Sequence, residues 1–286
     1  MTNHKQYEKI NQLLKSYHKS QYSNIDSKKT LSYMKKRYIN PVKYHLHDLN
    51  NLSVFDCGCG HGWLGFSYIL NGASKAILCD VDRNRLNLSK KIAKILEIYN
   101  NCEFICKPME MLDASKYSVD IFTCVETLEH VGESNIDSCI RFICRVTNKL
   151  IIITTPNKLF PIVMHDSMVP FAHWFPKNIR KEYVKMFGRI DNDLNDFVLP
   201  CQLNTLKIKF APSSKVLTFP TFDDWEKSYP FESPYNVGNR FKHKAPWFLK
   251  YYYKLSQFIF GYNSYMVSPN LCSLWIKKSN KSISIT

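Results

Sequence analysis

Nine residues constrain this chain more than any others: Val54-Phe55-Asp56-Cys57-Gly58-Cys59-Gly60-His61-Gly62. A short apolar run that ends in an acid and enters a Gly-x-Gly-x-Gly loop has a physical purpose. Glycines let the backbone turn tightly and let a ligand approach with no Cβ in the way. A helix that follows aims its free N-terminal amides at that ligand. In an open parallel sheet, ligands bind outside the carboxyl ends of the strands. The spacing is not the dinucleotide fingerprint Gly-x-Gly-x-x-Gly. Asp56, just ahead of the loop, suits a cationic ligand better than a pyrophosphate. Asp80 closes the next apolar run and suits a ribose diol, because a carboxylate can accept from both hydroxyls.

The surrounding pattern alternates strand and helix. Ser53–Asp56, Ala76–Cys79, Cys102–Cys106, Val119–Val125 and Leu150–Thr154 read as strands. Trp63–Leu70, Arg85–Tyr99 and Ile136–Thr147 read as the intervening helices. That alternation predicts a parallel sheet with crossover helices. Residues 1–48 read as polar helices with Ile10, Leu13, Leu14 and Tyr17, then Tyr33, Met34 and Tyr38, at helical spacing before Pro41. After Pro156 the pattern turns irregular and aromatic. It leaves a helix at Asn178–Phe187, a strand at Lys215–Phe219, a helix at Trp247–Phe260 and a terminal strand at Leu271–Lys277.

Charge and cysteines narrow the class. The net charge is +15, yet residues 51–150 hold eleven Lys/Arg against twelve Asp/Glu. The excess sits on the ends: ten basic and three acidic residues in the first 48, and eight basic with no acid after Glu232. A basic rim of this kind serves solubility or faces an anionic partner such as a phosphorylated substrate, a membrane surface or RNA. The cysteines fall in or beside apolar runs and form no Cys-x-x-Cys pair, which argues against a zinc site of the usual spacing. With no membrane-length apolar run and no signal-like apolar core at the N-terminus, the expectation is a reduced, cytoplasmic protein.

Val54–Gly62 and Asp80 resemble the first motifs of the class I S-adenosylmethionine-dependent methyltransferases, and the resemblance covers residues 50–157. It implies an α/β, Rossmann-like doubly wound, mostly parallel seven-stranded sheet with helices on both faces, an N-terminal helical extension and a lid insertion after the fifth strand. The corresponding domains are an N-terminal cap at 1–48 and a methyltransferase domain at 49–286, with 157–212 and 220–266 as acceptor-binding insertions. It further implies that Gly58, Cys59, Gly60 and Gly62 pack around the methionine part of S-adenosyl-L-methionine, behind Asp56. Asp80 and the adjoining Val81 would meet the ribose, and Met109 and Glu110 the adenine. Pro108 stands where many members carry an acid. Glu126, at the end of the fourth strand, would stand beside the cofactor. Read without the resemblance, the same loop also suits a nicotinamide-dinucleotide enzyme or an inactive domain of this fold.

A second segment speaks to the acceptor. Glu126-Thr127-Leu128-Glu129-His130, with the later His165-Asp166, resembles the ubiquinone-pathway O-methyltransferase branch, and also the small-RNA 3′-end ribose methyltransferases, in which two glutamates and histidines hold a divalent metal. Were this segment helical, Glu126, Glu129 and His130 would share one face. With His165 they could bind Mg²⁺, Mn²⁺ or Zn²⁺ and acidify an acceptor hydroxyl. Glu129 and His130 acting only to hydrogen-bond the loop is the alternative. His130, His165 and His173 are the candidate bases. The expected activity is O-methylation of a small molecule, sugar or lipid-linked intermediate. RNA ribose methylation and a non-catalytic, cofactor-binding partner subunit are the competing expectations. The helix at 246–260 places Lys250, Lys254 and Gln257 on one face and aromatics on the other, so it either packs on the lid or touches a membrane peripherally.

Overall fold

The computed structural model describes residues 4–16, 25–162, 167–191, 198–213, 247–260 and 271–278. Three helices come first: α1 (His4–Ser16), α2 (Ser27–Met34) and α3 (Asn40–Leu46). Asp26 caps α2 by accepting from the Lys29 amide. Pro41 does not end the helical run, as its place in the sequence suggests. A π-helical turn over Lys35–Ile39 joins α2 to α3, and Pro41 sits in the first turn of α3, where its missing N–H is no loss.

The sheet then forms from β1 (Ser53–Cys57), β2 (Lys75–Asp80), β3 (Cys102–Cys106), β4 (Val119–Val125), β5 (Thr147–Thr154), β6 (Phe210–Pro212) and β7 (Ser273–Lys277). The order is β3-β2-β1-β4-β5-β7-β6, parallel except for β7, which runs antiparallel to both neighbours. The crossover helices are α4 (Trp63–Leu70), α5 (Arg83–Ile95) and α6 (Ile136–Val146). Helix α5 ends earlier than expected because Glu97 takes a left-handed φ of 60°. The sixth strand is Phe210–Pro212, and the expected strand Lys215–Phe219 lies outside the described residues.

Each face of the sheet is covered. One core packs α1–α5 on Val54, Leu78, Ile121 and Ile152. The other packs α6 and the 3₁₀ run Pro200–Ile208 on Phe55, Phe122, Ile151 and Trp275. Burial on both sides explains why the central strands read as continuous apolar runs. Phe55 stacks on Phe122 at 5.1 Å, with Phe142 of α6 edge-on to both. The strand order reverses between β1 and β4, so the crevice at their carboxyl ends is the ligand-binding place of such a sheet. Beyond β5, α7 (Lys177–Met186) and α8 (Trp247–Phe260) form the described helices of the C-terminal half. Among the described residues no helix is long and apolar enough to cross a membrane.

Candidate active site

The glycine loop joins β1 to α4 at this crevice. Gly58, Gly60 and Gly62 all take positive φ, and Gly62 caps α4 in the left-handed region. The Gly58 and Cys59 amides donate to the Cys79 carbonyl at 2.8 and 3.0 Å. The Gly60 amide donates to Asp80 Oδ2 at 2.7 Å, and Asp80 Oδ1 accepts from the Asp82 amide at 2.9 Å. Asp80 thereby pins the loop while each oxygen keeps a further lone pair for a hydroxyl. A Cβ on Gly58 would strike Thr127 Oγ1 at 2.0 Å, whereas one on Gly60 would meet nothing within 4 Å. Gly58 is closed against the protein, and Gly60 faces open space.

Asp56 has a different task from the one its position suggested. It is 2% exposed, with Oδ1 accepting from Thr123 Oγ1 at 2.9 Å and Oδ2 from the Gly65 amide at 3.0 Å. It fastens β1 to β4 and to the first turn of α4 instead of facing a ligand. Burial pushes its carboxyl up to about 7 against the pull of those two hydrogen bonds. Gly65 and Thr123, its partners, are site residues that sequence reasoning missed. Gly65 has a signal in retrospect: a glycine inside an apolar helix marks close packing, and here a Cβ would lie 2.2 Å from Leu78 Cδ2 of β2.

The adenine-side residues stand apart in exposure. Val81 is 68% exposed beside Asp80, Met109 is buried, and Glu110 is exposed. His61, within the loop, is buried and lowered to about 4 by desolvation and then by Arg85.

The segment after β4 is not the helical face that would align Glu126, Glu129 and His130. Glu126 has φ 49°, its amide donates to the Thr154 carbonyl at 2.7 Å, and only Leu128–His130 forms a 3₁₀ turn. Such left-handed strain on a non-glycine residue costs on the order of 1–3 kcal/mol and clusters at functional sites. Glu129 is 3% exposed and accepts from Thr155 Oγ1 at 3.0 Å. Burial, then the neighbouring Glu126 carboxylate, push Glu129 well above the usual carboxylate range. His130 is exposed at the rim. Among the described residues no three His, Cys, Asp or Glu side chains converge as a cation requires, and His165 lies outside them.

His173 is buried beneath the segment after β5. Its Nε2 lies 3.0 Å from the Lys158 carbonyl, and burial lowers it to about 4. The N-terminal helices also reach this end of the sheet. Arg37 Nη2 lies 2.9 Å from Cys272 Sγ, and the Glu126 carboxylate acts on both Tyr33 and Tyr38. Burial holds Tyr33 up at about 12. The cap thus brings a guanidinium and two phenols to the Glu126 side of the crevice. Nothing in the spacing of residues 1–48 marked Arg37, because a guanidinium in a lysine-rich helix reads as surface.

Comparison with known proteins agrees with this geometry. Residues 48–195, more than half of the chain, match the family described as Methyltransferase domain. The chain is 30% identical over 170 residues to a ubiquinone biosynthesis O-methyltransferase of Coxiella burnetii, covering 58% of this chain and 67% of that one. It is 25% identical over 146 residues to the protein of the same name from Rickettsia bellii, of whose length it spans 58% while 49% of this chain is covered. Among solved structures, magnesium protoporphyrin IX methyltransferase from Synechocystis with bound SAH aligns at a TM-score of 0.45 and 15% identity, covering 64% of this chain and 74% of that one. With its family match spanning the glycine loop, Asp80 and the turn at Glu126, this chain belongs to the methyltransferase-domain family, as a class I S-adenosylmethionine-dependent member.

Proposed function

We propose that this protein transfers the methyl group of S-adenosylmethionine to a hydroxyl oxygen of a small-molecule, sugar or lipid-linked acceptor. One observation carries the reading: the Gly60 amide is held on Asp80 while the space beyond Gly60 stays open. That arrangement leaves an open glycine-lined space beside a carboxylate suited to a diol. The cofactor supplies a methyl group on a positively charged sulfur, so the chain's own work is to hold and align. The loop and Asp80 hold the cofactor at two points, and Arg37 would take its carboxylate. Alignment of donor and acceptor supplies much of the rate in such a transfer. His130, exposed in the turn after β4, is the candidate base. The two relatives named for O-methylation in ubiquinone biosynthesis support the choice of oxygen.

Calorimetric titration of S-adenosylmethionine against wild type and Asp80→Asn tests the cradle. Asp80→Asn is expected to lose at least about tenfold in affinity, a difference of about 1.4 kcal/mol, and to melt below wild type because its amide nitrogen cannot accept one of the two backbone hydrogen bonds. Labelled methyl transfer to a panel of phenols, glycans, lipid-linked alcohols and RNA then finds the acceptor. Incorporation into RNA ribose alone, or cofactor binding with no transfer to any acceptor, would overturn the small-molecule reading.

A further inference from the structure

We infer that α8 is a membrane-surface helix that lays an exposed apolar stripe into an anionic lipid bilayer. Part of α8 packs on the protein. Tyr252 donates its hydroxyl to the Leu159 carbonyl and sets its ring against Phe160 and Trp174, and Ser256 is buried. Aromatics therefore do not simply face the protein with lysines outward. Tyr251, Leu255, Phe258 and Ile259 recur at i, i+4, i+7 and i+8, one stripe of a helix, and all are exposed, Phe258 at 89%. Side chains of that size left in water forfeit the free energy of burial, and four in one stripe call for a covering surface.

The apolar surface extends past α8. Trp174, half exposed, touches Tyr252 and Phe171, while Phe175 meets Tyr183 of α7 at 5.0 Å. Ile179 and Met186 of α7, and Phe187 and Ile190 just past its end, are also exposed, Met186 at 81%. Tryptophan and tyrosine at the margin of such a surface suit the headgroup level of a bilayer.

Charge decides the occupant. Helix α8 carries lysines and no acid, Lys254 is exposed beside the stripe, and the chain after Glu232 holds eight Lys/Arg and no Asp or Glu. A second copy docking by two-fold symmetry would set this basic region against itself. An anionic bilayer complements both the stripe and the lysines. The inference stands apart from methyl transfer, since lipid binding is read without turnover.

Flotation of the full chain with phosphatidylcholine vesicles, alone and mixed with phosphatidylglycerol, tests it. Wild type is expected to float with the mixed vesicles and to release at high salt, where screening weakens the lysines. The double variant Leu255→Glu/Phe258→Glu is expected to lose at least about tenfold of the bound fraction at an unchanged melting temperature, because both positions are exposed. Absence of wild-type flotation with mixed vesicles, or equal flotation of the double variant, would overturn the proposal. So would a wild-type dimer in sedimentation that the double variant dissolves, since the stripe would then be a protein interface.

Discussion

Two glycines two residues apart in the same loop have opposite surroundings, and a methyl group distinguishes them. At Gly58 the added Cβ would lie 2.0 Å from Thr127 Oγ1, whose own hydroxyl is bound to the Val125 carbonyl at 3.0 Å and so resists moving. Left-handed strain of about 1–2 kcal/mol adds to that clash. Gly58→Ala is therefore expected to destabilise the fold by about 3 kcal/mol or more, read as a large drop in melting temperature. At Gly60 only the strain applies, because nothing lies within 4 Å. Gly60→Ala is expected to melt near wild type while cofactor affinity falls at least about tenfold, because the methyl occupies the open cradle. Undiminished binding by Gly60→Ala would put the cofactor elsewhere. His61, one residue on, contributes no charge to this cradle near neutral pH, since desolvation keeps its imidazole neutral.

At the scale of elements, the turn that closes β4 couples two strands through one acid. Glu129 of that turn accepts from Thr155, which follows β5, and burial, then Glu126 nearby, raise its carboxyl well above the usual range and favour the protonated form. A neutral amide reproduces the protonated acid. Glu129→Gln is expected to melt within about 2 °C of wild type at pH 7, whereas Glu129→Ala, which strands the Thr155 hydroxyl and leaves a void, is expected to cost about 2–3 kcal/mol. Equal damage from both substitutions would mean that Glu129 is ionised in the fold. This turn also marks where sequence reading stops. The strands of the parallel core were legible because burial on both faces leaves continuous apolar runs, and acids and glycines end them sharply at Asp56 and Asp80. Asp80 and the glycine loop were legible as a site because close backbone approach requires those residue types. The backbone reversal at Glu126 was not, since a glutamate at φ 49° obeys tertiary contacts against its own preference. Nor was the task of Asp56, because a carboxylate before a glycine loop reads the same whether it faces a ligand or a helix amide. Beyond β5 no period of two or 3.6 survives over Pro200–Ile208, whose 3₁₀ turns bury Leu203 and Leu206 by their fit to α6.

Over the whole molecule, buried titratable groups oppose one another, and the response to pH follows from their signs. His61 and His173 are lowered to about 4 from 6.5, both by desolvation first. As pH falls through 6.5 the unfolded chain takes up protons that the fold refuses, so each histidine removes stability down to about pH 4, worth about 3 kcal/mol each. Asp56 acts in the other direction. The fold keeps its proton up to about 7, while the unfolded chain releases it near 3.8, so lowering the pH through this range adds stability. Glu129, raised by burial and Glu126, has the same sign as Asp56. Two groups that lose stability with acid stand against two that gain it, and the wild-type melting temperature is expected to stay nearly level between about pH 4.5 and 6.5. Removing one side of the balance tilts the curve, whatever the variant does to absolute stability. His173→Gln is expected to gain melting temperature as pH falls through that range, relative to its own value at the top of it. Asp56→Asn is expected to lose it over the same range, because the histidines then act against Glu129 alone. Melting curves collected across the range read these slopes directly, and parallel profiles for wild type and both variants would show that His173 and Asp56 do not hold the protonation states their burial imposes.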